Sequence, residues 1–335
     1  MARRKLTQRQ RERIGAIQDR RRRKLQERAE QVLEESDSKA PRPGLIITRH
    51  GQNLAVEEQH GGLIHCLFRQ NIGHVVCGDR VVWQPTTPGE GVVTAIMERT
   101  TALVRPNFSG EEKPLAANIS QLVVVLAPEP GPSRHLIDQY LVAAENIGVG
   151  TVLALNKCDL LDPQAQRRFL STFGDYAHIG YPLVQISARE AAGLTPLHQL
   201  LHDHTSILVG QSGVGKSSLI NALLPDLNLQ VGRLSRASRL GRHTTSATSL
   251  YHLPGGGRLI DSPGVRSFRF GRITRAQLEA GFREFTPYLG HCRFSDCAHD
   301  REPGCALRAA LDTGAIHHQR LHNFLHMAEK LLPDR

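Results

Sequence analysis

The sequence predicts a multidomain α/β protein with three folded parts: an N-terminal β-barrel of the oligonucleotide-binding type, an α/β domain built around a phosphate-binding loop, and a C-terminal helical module closed by a metal. Three observations carry this. Short apolar runs separated by turn residues fill residues 43–114. The run Gly210-Gln211-Ser212-Gly213-Val214-Gly215-Lys216-Ser217 has phosphate-loop spacing between an apolar strand, Ser206–Val209, and a helical start from Ser218. Cys292, Cys297, His299 and Cys305 crowd three thiols and an imidazole into fourteen residues.

Ahead of these parts lies a basic tail. Residues 1–28 hold twelve Lys/Arg against Glu12, Asp19 and Glu27, a balance of +9 within a formal net charge of +10 for the 335-residue chain. The charge that seeks a polyanion therefore belongs to the tail, and the remaining body is nearly neutral. Residues 1–40 carry too few sizeable apolar side chains to offset their ordering entropy and are expected to be disordered until they meet a partner. The basic start is followed by no apolar run and no stretch of 18 apolar residues occurs, so a signal peptide and a membrane span are not expected. Six cysteines, three of them clustered, fit a reducing cytoplasm with one metal site better than a disulfide scaffold.

From Pro43 the apolar runs at residues 45–47, 54–56, 63–68, 75–76, 81–83, 92–96 and 103–104 are punctuated by Gly51, Gly61-Gly62, Gly73, Gly78-Asp79 and Pro88-Gly89. About five strands over such a length suit a small closed barrel. Residues 118–272 then alternate near-continuous Val/Leu runs, Leu122–Leu126 and Thr151–Leu155, with amphipathic stretches such as His135–Asn146, the pattern of buried parallel strands with helical crossovers.

Each strand in this domain is expected to end on chemistry. The glycines of 210–215 let backbone N–H groups turn toward phosphate oxygens, Lys216 holds the β/γ-phosphates, Ser218 continues the helix N-terminus, and the Ser217 hydroxyl ligates Mg²⁺. In Asn156-Lys157-Cys158-Asp159 the Asp159 carboxylate accepts from the N1–H and amine of guanine, whereas adenine leaves it unpaired. Asn156 braces the base loops, Lys157 covers the base face, and Ser187-Ala188 offers backbone N–H groups to the guanine carbonyl. Thr244 or Thr245 completes the Mg²⁺ shell, Asp261 holds the metal through water, and the Gly264 N–H touches the γ-phosphate. The base-reading motifs precede the phosphate loop, the reverse of Ras-like GTPases, so the domain reads as circularly permuted.

Residues 273–335 follow directly. Cys292-x4-Cys297-x-His299-x5-Cys305 supplies four protein ligands, a closed tetrahedral set suited to structural Zn²⁺. Leu321, Phe324, Leu325 and Ala328 predict an amphipathic covering helix, with His318, His322 and His326 on one face.

On these motifs and in this order the chain resembles the ribosome small-subunit-dependent GTPase A family, RsgA (also called YjeQ), over nearly its whole length. The resemblance implies a bacterial cytoplasmic GTP hydrolase that binds GTP and GDP, contacts the small ribosomal subunit and its rRNA in late maturation, and works as a monomer. Val265 stands where Ras-type enzymes place the glutamine that orients water, so hydrolysis is expected to be slow without the subunit. His243 is the candidate water-positioning residue, with Lys216 and Gly264 completing the catalytic set. Arg233, Arg236, Arg239 and Arg242 recur every three residues through the first switch and suit rRNA contact. An RNA-binding scaffold with a vestigial nucleotide switch is the alternative reading.

Overall fold

The computed structural model describes residues 40–69, 72–106, 112–237, 248–262 and 273–332. The described residues fall into two compact units, one holding residues 40–99 with 228–249, the other 100–227 with 250–332. The basic tail lies outside the described residues.

In the first unit β1 (Arg42–His50), β2 (Asn53–Glu58), β3 (Leu63–Phe68), β4 (Arg80–Pro85) and β5 (Glu90–Ile96) run in the order β1-β2-β3-β5-β4, and pairing of β4 back onto β1 closes a five-stranded barrel. Closure removes the exposed sheet edges that an open sheet of this size would carry. A bulge in β1 between Ile46 and Thr48 bends that strand so that it can serve both neighbours. Ile46, Leu54, Val56, Cys66, Phe68, Val81 and Val93 fill the interior around Trp83. Trp83 fits because Gly44 and Gly91 lack a side chain: a Cβ would stand 2.9 Å from its ring at Gly44 and 2.6 Å at Gly91. The apolar run at 75–76 is buried but forms no strand. Its backbone serves the adjoining turn instead, where the buried Asp79 carboxylate accepts from the Val76 N–H at 2.8 Å and from Arg99 Nε at 2.7 Å. The run at 103–104 belongs to the second unit, where β6 (Ala102–Pro106) and β7 (Glu112–Ala117) pair as a separate hairpin.

The second unit is a largely parallel sheet with helices. After β8 (Gln121–Leu126) come α1 (Arg134–Ile147), β9 (Gly150–Leu155), α2 (Pro163–Phe173), α3 (Asp175–His178), β10 (Leu183–Gln185), α4 (Thr195–Leu201), β11 (Thr205–Val209), α5 (Lys216–Leu223), β12 (Ser249–His252) and β13 (Arg258–Asp261), while α6 (Leu227–Ala237) falls, after its first residue, among the residues of the first unit. The spatial order is β10-β9-β8-β11-β13-β12, and the first five of these run parallel. Every residue of β8 is buried, the reason the run of Val and Leu is unbroken. The carboxyl ends of β8, β9, β10, β11 and β13 thus share one edge, the side on which ligands bind in such sheets.

α7 (Arg275–Ala280), a 3₁₀ turn (Arg283–Tyr288), α8 (Ala306–Asp312) and α9 (His318–Leu331) form the C-terminal part of the same unit. Phe282, Phe285 and Phe324 stack and cross at centroid distances of 4.8–5.6 Å within a core that also takes Val142 from α1. One buried polar cluster joins this core to the sheet domain. Arg320 of α9 donates to Asp138 of α1 at 2.6 Å and to Glu284 at 2.6 Å, while Asn323 and Tyr176 also donate to Asp138. Burial alone would lower the Arg320 pKa, but the two carboxylates outweigh it and keep the guanidinium charged.

Overpacking at Gly44 isolates the barrel's dependence on Trp83. Gly44→Ala is expected to cost about 1–3 kcal/mol, measured as a lower urea midpoint of Trp83 fluorescence, which reports the barrel because Trp83 is the single tryptophan.

Candidate nucleotide and metal sites

The phosphate loop, residues 210–215, leaves β11 and enters α5 at Lys216. Gly215 adopts φ 92° as the residue before that helix and no side chain caps it, so the first-turn N–H groups of Lys216, Ser217 and Ser218 are directed at the loop's concavity. Gly210 has φ 136°, and a Cβ there would stand 2.3 Å from the Val125 carbonyl oxygen, so only glycine lets β11 turn this tightly beside β8. Lys216 Nζ reaches the Gly210 and Gln211 carbonyl oxygens, both at 2.6 Å, which places the ammonium across the mouth of the loop. Ser212, Gly213, Ser217 and Ser218 are exposed, and Val214 is buried as the loop's anchor.

Beside the loop stands Asn156, buried at the end of β9. Its Nδ2 donates to the Val214 carbonyl at 3.0 Å, and its Oδ1 accepts from the Ala188 N–H at 3.1 Å. One amide therefore joins the phosphate loop to the Ser187-Ala188 loop. A Cβ at Gly215 would come within 2.5 Å of that Nδ2, so this glycine is required by the brace as well as by its φ. Lys157 has φ 62°, and its Nζ ties the Gly213 carbonyl at 2.7 Å to the Glu129 carbonyl at 2.9 Å in the loop after β8. Asp159 is oriented by Ser187 Oγ, which donates to Oδ1 at 2.7 Å, and Arg189 lies 3.6 Å from Oδ2. The carboxylate is thus held in a fixed orientation at the same sheet edge, its side chain 17% exposed. Asp261 ends β13, the strand next to β11, and arrives at the same edge. His243, Thr244, Thr245 and Gly264, with Val265, Arg239 and Arg242, lie outside the described residues.

The second site lies between α7 and α8. The ligand atoms of Cys292, Cys297, His299 and Cys305 all fall within 4.8 Å of one another, and none of these cysteines forms a disulfide. His299 turns its Nδ1 to the thiols, 3.5 Å from Cys292 Sγ and 3.4 Å from Cys305 Sγ. Its Nε2 lies 3.3 Å from Glu279 Oε1, and Arg275 holds Glu279 at 2.7 Å, so a carboxylate fixes the ring's orientation and tautomer. Burial opposes ionisation of Glu279, but His299 and Arg275 outweigh it and keep its carboxyl below the usual range. The loop backbone is gathered by Glu302, which accepts from Ala298 N–H at 2.9 Å, Asp300 N–H at 3.0 Å and Arg301 N–H at 3.1 Å. Three thiols and one imidazole nitrogen converging in a largely buried pocket fit a four-coordinate metal, and among the described residues this is the one such cluster of three or more ligands. His318 and His322 are exposed, and His326 packs edge-on against His135 with ring centroids 4.9 Å apart. Cys66 and Cys77 are buried in the barrel, where burial pushes their thiols well up.

A family model described as RsgA GTPase matches residues 96–271. The chain belongs to the RsgA GTPase family. The small ribosomal subunit biogenesis GTPase RsgA of Azotobacter vinelandii is 47% identical over 338 residues, covering 99% of this chain and 98% of its own, and that of Pseudomonas aeruginosa PAO1 is 45% identical over 330 residues, covering 98% and 97%. The crystal structure of YjeQ from Thermotoga maritima, 32% identical, superposes over 88% of this chain and all of its own with a TM-score of 0.73. YloQ, described as a circularly permuted GTPase, is 27% identical and covers 90% of this chain and 99% of its own at a TM-score of 0.71. As an RsgA GTPase the chain hydrolyses GTP, and the permuted order read from its motifs is the order in which its strands occur.

Sequence reading of this RsgA chain missed the Glu129 contact with Lys157, the approach of Pro130 to Gly213, the Asp138–Arg320 cluster and the Glu302 clamp. The run Glu129-Pro130-Gly131-Pro132-Ser133 carried a signal of a structured turn and helix cap, and Ser133 does cap α1 by accepting from the Leu136 N–H at 3.4 Å.

The Asp159 geometry gives a specificity test. Asp159→Asn replaces an acceptor pair with one acceptor and one donor, so guanine nucleotide affinity is expected to fall by roughly a hundredfold or more and xanthine nucleotide affinity to rise, measured by competition against a fluorescent nucleotide.

Proposed function

We propose that this chain is a small-subunit-stimulated GTPase acting in late maturation of the small ribosomal subunit in the cytoplasm, with GTP hydrolysis driving its release. The observation that supports it most is the convergence of the phosphate loop, the Asn156 brace and the Ser187-held Asp159 at one sheet edge, in a chain alike over its whole length to proteins named small ribosomal subunit biogenesis GTPases. The presence of Lys216 and Ser217 at the start of α5 and of Asp261 at the end of β13 speaks against the alternative of a vestigial switch.

In this reading the base is selected by Asp159 and covered by the Lys157 stem, and the Ser187-Ala188 backbone meets the guanine carbonyl. The N–H groups of 210–218 and Lys216 hold the phosphates, leaving their charge compensated while the γ-phosphoryl departs. Ser217, one of Thr244 and Thr245, and Asp261 would hold Mg²⁺, which when bound neutralises charge between the β- and γ-phosphates. Gly264 contributes an N–H at the γ-phosphate. Val265 has no group that can orient water, so His243 takes that task when the subunit is bound. Cys292, Cys297, His299 and Cys305 hold one structural Zn²⁺; with four protein ligands no position is left open for substrate. The basic tail and the arginines from Arg233 to Arg242 supply rRNA contact through phosphate charge. The protein acts as a monomer.

Turnover measured with and without purified small subunits tests this reading. GTPase activity is expected to rise at least tenfold with subunits in the native chain and to lose that stimulation in His243→Ala with unchanged GDP affinity. Equal turnover in both conditions would sink subunit dependence. Elemental analysis is expected to give one zinc per chain; a different metal or none would overturn the zinc assignment.

A further inference from the structure

Asp159 lies in the 3₁₀ turn Cys158–Leu160 that follows β9, and both oxygens of its carboxylate have partners within the chain. Ser187 Oγ donates to Oδ1 at 2.7 Å, and Arg189 Nη1 lies 3.6 Å from Oδ2. The two partners belong to one turn. The same Ser187 Oγ accepts from the Arg189 backbone N–H at 3.2 Å, and the Glu190 N–H closes the turn onto the Ser187 carbonyl at 3.2 Å. They differ in how firmly they are held. Ser187 is buried, whereas the Arg189 side chain is 81% exposed, so its guanidinium can swing away while its backbone stays in place. Each carboxylate oxygen has two lone pairs, so Oδ1 can keep Ser187 and still accept from a base. Oδ2 is the contested oxygen, because the N1–H and amine of guanine call on both oxygens and Arg189 calls on this one.

We propose that Arg189 is an internal competitor for the guanine-reading carboxylate, and that it speeds nucleotide release by taking Oδ2 as the base leaves. A base that departs from a largely buried carboxylate leaves behind an uncompensated charge unless another donor arrives. Arg189 is tethered two residues from Ser187, which keeps its guanidinium at high effective concentration beside Oδ2. It is charged at every accessible pH and carries a fork of N–H donors, so it can replace the donors of the base without a proton transfer. The sign of the effect separates this role from a stacking one: a guanidinium lying on the base would strengthen binding, and a competitor for Oδ2 weakens it. The proposal rests on the reading of Asp159 as the residue that selects guanine.

The test uses the full chain loaded with a fluorescent GDP and chased with excess unlabelled GDP. Arg189→Gln is expected to lower the GDP dissociation constant about 2- to 5-fold, the worth of a partly exposed ion pair, with slower release carrying the change. Arg189→Lys keeps a charge in reach of Oδ2 and is expected to retain most of the fast release. In Asp159→Asn loaded with a fluorescent xanthosine diphosphate, adding Arg189→Gln is expected to leave release unchanged, since no carboxylate remains to be contested. Faster or unchanged GDP release in Arg189→Gln, or an equal change in both backgrounds, would overturn the competition. Tighter GDP binding with unaltered release would place Arg189 on the approach of the base and overturn the release role. Failure of Asp159→Asn to take the xanthine nucleotide would instead remove the guanine reading on which the proposal rests.

Discussion

A single carboxamide sets the geometry of the nucleotide edge. Asn156 leaves β9 buried, so both ends of its amide must be satisfied by protein, and they are satisfied by two different loops. Val214 and Ala188 cannot drift apart without leaving a buried donor or acceptor unpaired, a penalty of roughly 1–3 kcal/mol for each. That is why the neighbouring positions tolerate so little. Gly215 must lack a Cβ because the amide passes at the distance where one would lie. The left-handed Lys157 sends its ammonium back to Gly213 across the same gap and binds a third loop, after β8, through Glu129. The phosphate loop, the Asn156–Asp159 loop and the Ser187-Ala188 loop are thereby tied into one frame. In the chain Asn156 lies 58 residues from Val214 and 32 from Ala188.

The permuted order makes sense against this frame. The parallel strands meet the same neighbours whichever connection is cut, because β11 lies between β8 and β13 and its pairing registers do not depend on which strand came first. What changes is where the chain goes next. β13 ends at Asp261 and, after residues 263–272, the chain continues into the metal module, so the module follows closely on a strand that ends at the same sheet edge as β11. It returns to the sheet domain through α1 rather than through its own chain connection. Asp138, Val142 and Glu145 receive it on one face of that helix.

Most of the nucleotide edge was legible in the sequence because each motif is contiguous and each sits at the end of an apolar strand. Asn156-Lys157-Cys158-Asp159 and the phosphate loop carry their chemistry in one stretch of chain, and so does the metal cluster, whose four ligands span fourteen residues. The barrel was legible in its strand count and less so in its limits. Val75 and Val76 are apolar because they are buried, and burial alone does not distinguish a strand from a turn whose backbone is held by Asp79. Leu103 and Val104 have strand composition, but their partner is Glu112–Ala117 and not the barrel, a choice that register decides and composition does not. The contacts that escaped are those between distant residues. Nothing local to Arg320 tells that it meets Asp138, 182 residues away, since an arginine on an amphipathic helix is read as solvated.

That buried cluster is better understood as a register device than as a source of stability. Two carboxylates and one guanidinium taken from water repay little of their desolvation, and an apolar replacement of the same volume would be comparably stable. An apolar contact, however, lets two helices slide and rotate through several packings of similar energy. Asp138 has one guanidinium, one amide and one phenol to satisfy, at 2.6, 2.5 and 2.6 Å, and these come from two turns of α9 and from α3. Only one rotation and one height of α9 against α1 meets all three. Glu284 then fixes the other side of the same guanidinium from the 3₁₀ turn that packs Phe282 and Phe285. The hydrophobic core of the module determines that it docks on α1, and the polar cluster determines at which register, so the metal-bearing part meets the nucleotide-bearing part in one arrangement.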